Sequence, residues 1–317
     1  MILSDRINTF GQDLFRRHGE RVHKIALDAG FTCPNRDGTK GRGGCSFCNN
    51  ASFSPDADTR LELAAQISKA RRAIAKRTRA RKFIAYFQAY TNTYDKVEAL
   101  EALYREALNE PDMVGIAVGT RPDCVSSDVL DLLEHFRDQG LEVWLELGLQ
   151  SSFDETLERV NRGHTFGEYR ETAIAARQRG IPLCAHLIVG LPGETEAHCQ
   201  ATLDNVLDIG VDGLKLHPLH VVKHTLLAHQ WRLGEYHPLS REAYIGIAAN
   251  LIERTPADIV YHRVTATASR DVLLAPAWCA EKWNVLNGIE FELRQRGTRQ
   301  GCRAATGYAT EQLRHAA

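Results

Sequence analysis

A chain of 317 residues can bury a sizeable core, as one large α/β domain or as one domain with an appendage. Its 39 Lys and Arg against 40 Asp and Glu leave a net charge of −1, which confines any nucleic-acid role to a local patch. Met1 to Arg6 show no basic-then-apolar leader and no apolar run reaches bilayer length, so a cytoplasmic location is expected and a membrane partner is not. In that compartment the 8 cysteines stay reduced, and a tight group of them reads as a metal site before a disulfide framework.

The first strand is expected at 22–27, and it runs straight into a cysteine loop. Cys33, Cys45 and Cys48 fall within sixteen residues, the last two as a C-x2-C pair, with four glycines loosening the backbone between them. Thiolates gathered in this way suit zinc or an iron–sulfur cluster. A closed zinc site or an ordinary cluster takes four protein ligands. Three cysteines on a [4Fe–4S] cluster leave one iron open to a ligand that is not protein. On these residues alone, a zinc knuckle with His23 or a distant residue as fourth ligand is the alternative.

A helix follows from Asp58 with apolar positions Leu61, Leu63, Ile67, Ala70 and Ile74. Strands are expected at 83–87, 114–118, 143–147, 183–189 and 213–216, with helices at 96–108, 128–138, 168–179 and 196–209 between them. Apolar strands alternating with amphipathic helices imply βαβ units and a parallel sheet. Six such units resemble a barrel or part of one, with a doubly wound sheet as the competing topology. From Trp231 onward, helices at 241–254 and 280–296 flank a strand signal at 259–262. The expected division is a core barrel over 1–230 and a C-terminal α/β extension over 231–317 packed on it, with little pattern over 299–317.

Polar residues gather where strands end. Glu146 and Gln150 close the fourth strand, where they can hold a polar ligand; a Gln satisfying backbone groups fits equally. Arg162, twelve residues on, supplies a fork suited to a carboxylate. Gln88 and Thr91 follow the second strand, and Thr120, Arg121 and Asp123 the third. His186 either faces the barrel interior or is a satisfied core histidine. His217, His220 and His224 have metal-ligand spacing only on a helix, which Pro218 opposes, so His217 and His220 read as cleft-lining groups that can meet a substrate. Cys124, Cys184, Cys199, Cys279 and Cys302 are scattered and read as small hydrophobes. Eight cations lie between Lys69 and Lys82, either a solvated helix face or a footprint for a phosphate backbone.

Taken together, the cysteine loop and the segments Tyr86-Phe87-Gln88-Ala89-Tyr90-Thr91-Asn92-Thr93-Tyr94, Gly119-Thr120-Arg121-Pro122-Asp123, Glu146-Leu147-Gly148-Leu149-Gln150-Ser151 and Asn161-Arg162-Gly163-His164-Thr165 resemble the radical S-adenosylmethionine (SAM) superfamily. They most resemble its YhcC/YtqA-type branch, which is similar to the radical SAM domain of the elongator catalytic subunit. The wide spacing of Cys33 and Cys45 departs from the commonest loop of the superfamily, C-x3-C-x2-C, and agrees with this branch. Lys223-His224-Thr225 stands where the branch usually has Lys-Gly-Thr, and Ala266-Thr267-Ala268-Ser269 where its signature has Gly-Asp-Ala-Pro.

The resemblance implies a partial (β/α)6 radical SAM barrel and a [4Fe–4S] cluster held by Cys33, Cys45 and Cys48. By the same resemblance SAM would meet Gln88, Thr91, Glu146, Gln150, Arg162 and His186, and a substrate would meet His217, His220, His262 and Arg263. The implied enzyme, an oxidoreductase or transferase, cleaves SAM reductively to a 5′-deoxyadenosyl radical with electrons from a flavodoxin or ferredoxin. The relatives nearest in motif act on wobble uridines of tRNA, so tRNA modification is the expected class, with tRNA met through Lys69 to Lys82. A small metabolite or a protein substrate is the alternative, and a non-catalytic zinc or iron–sulfur scaffold is a different class altogether.

Overall fold

The computed structural model describes residues 2–49 and 61–305; the expected helix start at Asp58 and the end of the chain from 306 lie outside the described residues. The elements in order are α1 (Phe10–His18), β1 (Val22–Leu27), α2 (Pro34–Asp37), α3 (Leu63–Thr78), β2 (Lys82–Phe87), α4 (Val97–Leu108), β3 (Met113–Thr120), α5 (Ser127–Asp138), β4 (Glu142–Gln150), α6 (Asp154–Arg159), α7 (Phe166–Gln178), β5 (Leu183–Val189), α8 (Glu196–Ile209) and β6 (Gly213–Pro218). After these come β7 (Val221–Val222), α9 (Leu226–Arg232), α10 (Arg241–Arg254), β8 (Val260–Arg263), β9 (Leu273–Ala275) and α11 (Lys282–Gln295).

Seven strands form one parallel sheet in the order β1-β2-β3-β4-β5-β6-β8. From β1 to β6 every crossover advances the sheet by one strand in the same direction. A doubly wound sheet reverses at a switch point; a barrel wall does not. The sheet is therefore a curled, open half-barrel, and the strand expected after Trp231 is its seventh member, paired to β6. A separate two-stranded antiparallel sheet, β7 with β9, had no clear signal in the sequence because its strands are two and three residues long.

Alternate residues of each strand face opposite sides. Outward residues such as Ile25, Phe83, Phe87, Leu145, Leu183 and Leu214 are buried beneath the helices in the main core. Inward residues are layered. Val22, Ile84, Trp144 and Cys184 make an apolar floor, which α1 closes by setting Phe10 edge-on to Trp144 at 5.4 Å between ring centroids. Above the floor lies a charged layer, and above that the cavity described next. α1 has its Thr9 cap accepting from Gln12 N and ends at left-handed Gly19, a helix with start and stop signals of its own that the strand-centred reading overlooked.

A second small core joins Cys45 and Phe47 of the cysteine loop to Val160, Leu219, Val221, Leu227 and Ala275. Segments from the last third of the chain thus support the loop, and Leu227 N donates to Ser46 O at 2.8 Å.

Candidate active site

Pro34 at the first position of α2 and left-handed Gly38 just past its end turn the chain sharply after Cys33. The rest of the loop is pinned to the α6–α7 connection. Asn35 Nδ2 donates to Asn161 O, Asn161 Nδ2 donates to Gly44 O at 2.8 Å, and Ser46 N donates to Val160 O at 2.9 Å. Gly44 sits at φ 79°, and a Cβ there would come within 2.9 Å of Arg36 Nε. Arg36 in turn donates to Cys48 O, so glycine at 44 is what lets that side chain brace the loop.

All eight cysteines are free, and Cys33, Cys45 and Cys48 line one cavity at the C-terminal ends of the strands. Gln88, Thr91, Gln150, Arg162, His186, His217 and Arg263 line the same cavity. Arg162 reaches Cys45 Sγ with Nη1 at 3.6 Å and Gly148 O with Nη2 at 2.5 Å. A Cβ on Gly148 would meet Arg162 Nη2 at 2.8 Å and Gln150 Nε2 at 2.9 Å, so a larger residue there would displace the two side-chain ends that converge on it. Gln150 itself holds φ 82°, a left-handed backbone that costs a non-glycine residue about 1–3 kcal/mol and is typical of ligand sites. Thr91 Oγ1 is buried with no hydrogen-bond partner.

Arg121 is buried within this wall. It makes a two-pronged pair with Asp123 at 2.9 and 3.0 Å and donates to Arg162 O and Gly163 O. That pair orders the loop carrying Arg162, and Arg121 also contributes to the cavity lining beside the cysteines.

In the charged layer below the cavity, sequence reasoning named Glu146, His186 and His262 as ligand candidates but missed Lys24 and Lys215. Glu146 is wholly buried, with Lys24 and Lys215 paired to its two oxygens, His186 Nε2 at 2.9 Å and His262 Nδ1 at 3.4 Å. Burial opposes its charge, but Lys215 and Lys24 outweigh burial and hold the carboxylate well below its usual range. Lys215 also donates to Tyr86 Oη at 2.8 Å, and burial pulls its pKa down to about 8. Burial, then Lys215, brings His186 down to about 4, so it is neutral near pH 7. Glu146, His220 and His262 do not line the cavity. His262 is wedged between the rings of Phe10 and Trp144, at 4.0 and 4.4 Å, and His220 lies buried behind the wall. The signal for this layer was a lysine at an inward position of two largely apolar strands, Lys24 in β1 and Lys215 in β6.

The spacing of the donor set can be compared with zinc and with a cluster. Four thiolates around one zinc sit about 3.8 Å apart, given zinc–sulfur bonds of about 2.3 Å. Among the described residues the three loop sulfurs do not close to within 4.8 Å of one another, so they are spread wider than one zinc requires. The group that does close up, Glu146, Cys184 and His186, is already neutralised by lysines, and burial pushes the Cys184 thiol up. Three spread thiols with N–H donors from Asn35 and Arg162 at Cys45 fit a [4Fe–4S] cluster with one open iron.

A sequence model described as the Radical SAM superfamily matches residues 35–206, and one described as the Radical_SAM C-terminal domain matches residues 211–295. The chain belongs to the radical SAM superfamily. It is 49% identical to protein YhcC of Escherichia coli K12 over 94% of this chain and 95% of that one. It is 27% identical to the tRNA uridine(34) acetyltransferase of Dehalococcoides mccartyi over 63% of this chain and 42% of that protein. The structure of archaeal Methanocaldococcus infernus Elp3 superposes with a TM-score of 0.64 at 19% identity, over 88% of this chain and 64% of that one, a likeness of fold. Membership of the radical SAM superfamily implies an enzyme, a [4Fe–4S] cluster, SAM and an electron donor. No helix among the described residues is long and apolar enough to cross a membrane.

Proposed function

We propose that this protein is a radical SAM enzyme acting in tRNA uridine modification, in the cytoplasm, with a flavodoxin or ferredoxin as electron donor. The observation that carries the first half is the cavity lined at once by Cys33, Cys45, Cys48, Gln150 and Arg162. The three cysteines would hold a [4Fe–4S] cluster, which together with SAM supplies one-electron cleavage of SAM and a hydrogen-abstracting 5′-deoxyadenosyl radical. Asn35 and Arg162 stabilise negative charge on the Cys45 sulfur through N–H donors. Gln88 and Thr91 on one wall, and Gln150 and Arg162 on another, orient SAM's amine and carboxylate. Neutral His186 offers a hydrogen bond without adding charge. The C-terminal segments pack on the cysteine loop and hold it in place.

The second half rests on charge. Lys69, Arg72, Lys76, Arg77, Arg79 and Arg81 are exposed along α3 and just past it, and only Arg72 has a side-chain partner, Ser68, among the described residues. Lys282 at the start of α11 lies within the field of both Arg77 and the cavity-lining Arg263, so cations continue from α3 to the cavity. Such a track suits a phosphate backbone, and the similarity to a tRNA uridine(34) acetyltransferase points the same way.

Anaerobic reconstitution followed by EPR with and without SAM tests the chemistry. A reduced cluster signal that SAM perturbs, absent in Cys45→Ala, is the expected result; a signal indifferent to SAM overturns the reading. For the substrate, tRNA binding should weaken steeply with salt and weaken further in a variant with Lys76, Arg77 and Arg79 changed to Gln. Salt-independent binding, or none, would direct attention to a small metabolite or protein.

A further inference from the structure

Two of three neighbouring cations inside the barrel meet one carboxylate. Lys24 and Lys215 share Glu146, while the side chain of Arg263, which also acts on Lys215, has neither a hydrogen bond nor an ion pair among the described residues. Arg263 is only partly buried and lines the cavity on the side of β6 and β8, with Arg162 and Gln150 coming from β4 and the loop beyond it. Next to it, His217 also lines the cavity and has its Nε2 buried with no partner. Burial and the nearby Arg263 hold His217 neutral. An excess of positive charge lining a cavity favours the entry of a group of opposite charge. A free guanidinium fork, an ammonium and an unused imidazole nitrogen on one wall are the parts of an anion site.

We propose that Arg263, Lys215 and His217 bind an anionic group, phosphate or carboxylate, of the molecule on which this enzyme acts. The inference rests on the radical SAM reading in taking this cavity as the place of the substrate. Glu146 and Lys24 hold Lys215 in position from below, and Tyr86 fixes it from the side through the hydrogen bond to its ammonium. Arg263 confers the affinity because its charge is unspent. Lys215 contributes the part of its field that Glu146 does not cancel.

Calorimetric titration of the reconstituted full chain with uridine 5′-monophosphate, uridine, inorganic phosphate and succinate tests the site. Saturable binding of the anions and none of uridine is expected, with affinity falling at least tenfold in Arg263→Gln and largely kept in Arg263→Lys. Since the Arg263 side chain has no hydrogen-bond or ion-pair partner among the described residues, its replacement should leave the melting temperature unchanged, which separates loss of a binding group from loss of structure. Tighter binding of the nucleotide or phosphate identifies a phosphate source, and tighter binding of succinate a carboxylate source. Equal affinity in wild type and Arg263→Gln, no saturable anion binding, or displacement of the anion by SAM overturns the proposal. The EPR response to SAM in the same preparation reports independently on the radical SAM reading: a normal response with no anion binding rejects the anion site alone.

Discussion

Arg162 Nη1 lies 3.6 Å from Cys45 Sγ while Nη2 of the same guanidinium holds the Gly148 carbonyl. One side chain therefore joins the cysteine loop to the end of β4. In Arg162→Ala the Gly148 carbonyl loses this donor, with a loss of about 1–3 kcal/mol in urea unfolding. Iron retained per chain after reconstitution should also fall. Arg162→Lys keeps the charge but not the fork and should retain iron better than Arg162→Ala. Unchanged iron content and stability in the alanine variant would contradict this role.

Replacing Cys33, Cys45 or Cys48 singly with Ala should abolish the visible absorbance of the reconstituted cluster. Replacing Cys124 or Cys302, which are free but outside the cavity lining, should preserve it. Iron and sulfide analysis of the five variants separates the two groups; loss of iron in the Cys124 variant would call for a fourth ligand.

Glu146→Gln should be among the most damaging isosteric changes in the chain. It leaves Lys24 and Lys215 buried without their carboxylate, at a cost of about 3–5 kcal/mol. The double variant Glu146→Gln with Lys215→Met should lose less than the sum of the single losses, because the second change removes one of the stranded charges. Strict additivity in denaturant melts would show that the pair is not coupled.

Acid should destabilise the fold before its carboxylates titrate. Burial, reinforced by neighbouring cations, lowers His164 to about 3, His186 to about 4 and His220 to about 4. For His164 the cations are Arg162 and Arg121, for His186 chiefly Lys215, and for His220 Arg263. Below pH 6.5 the unfolded chain takes up protons that the folded chain refuses. Stability should therefore fall as pH drops from about 6.5 toward 4, by up to about 1.4 kcal/mol per pH unit for each histidine. Glu146, whose pKa is depressed, adds to the loss only below about 4.5. A urea midpoint constant between pH 7 and 5 would rule this out, and His220→Asn should flatten the slope.

The strands were legible because a strand buried on both faces is predominantly apolar; β1 and β5 fall where such stretches lie, each interrupted by a polar residue or two, and α8 and α10 follow their own periodicity. The candidate ligands Gln88, Thr91, Gln150 and Arg162 were legible as polar residues just past such runs, and the curled sheet gathers them around the three cysteines. Lys24 and Lys215 were not legible as a site. Each reads as an isolated charge in an apolar strand until Glu146, 122 positions from one and 69 from the other, is brought between them. Glu146 and His262 looked like ligands for the same reason in reverse, since their spacing conceals the partners that occupy them.

The sequence by itself determined the local chemistry: three thiols on a glycine-rich turn after a first strand, and the alternation of strand and helix that makes a parallel sheet. Both are written in neighbouring residues. Only the tertiary structure decided that the crossovers all run one way and curl the sheet, that the strand at 260–263 joins it beside β6, and that Arg263 is left with an unspent charge facing the cavity. Those outcomes depend on which distant side chains meet, and a buried charge is structural or available to a ligand according to whether its opposite charge arrives from elsewhere in the chain.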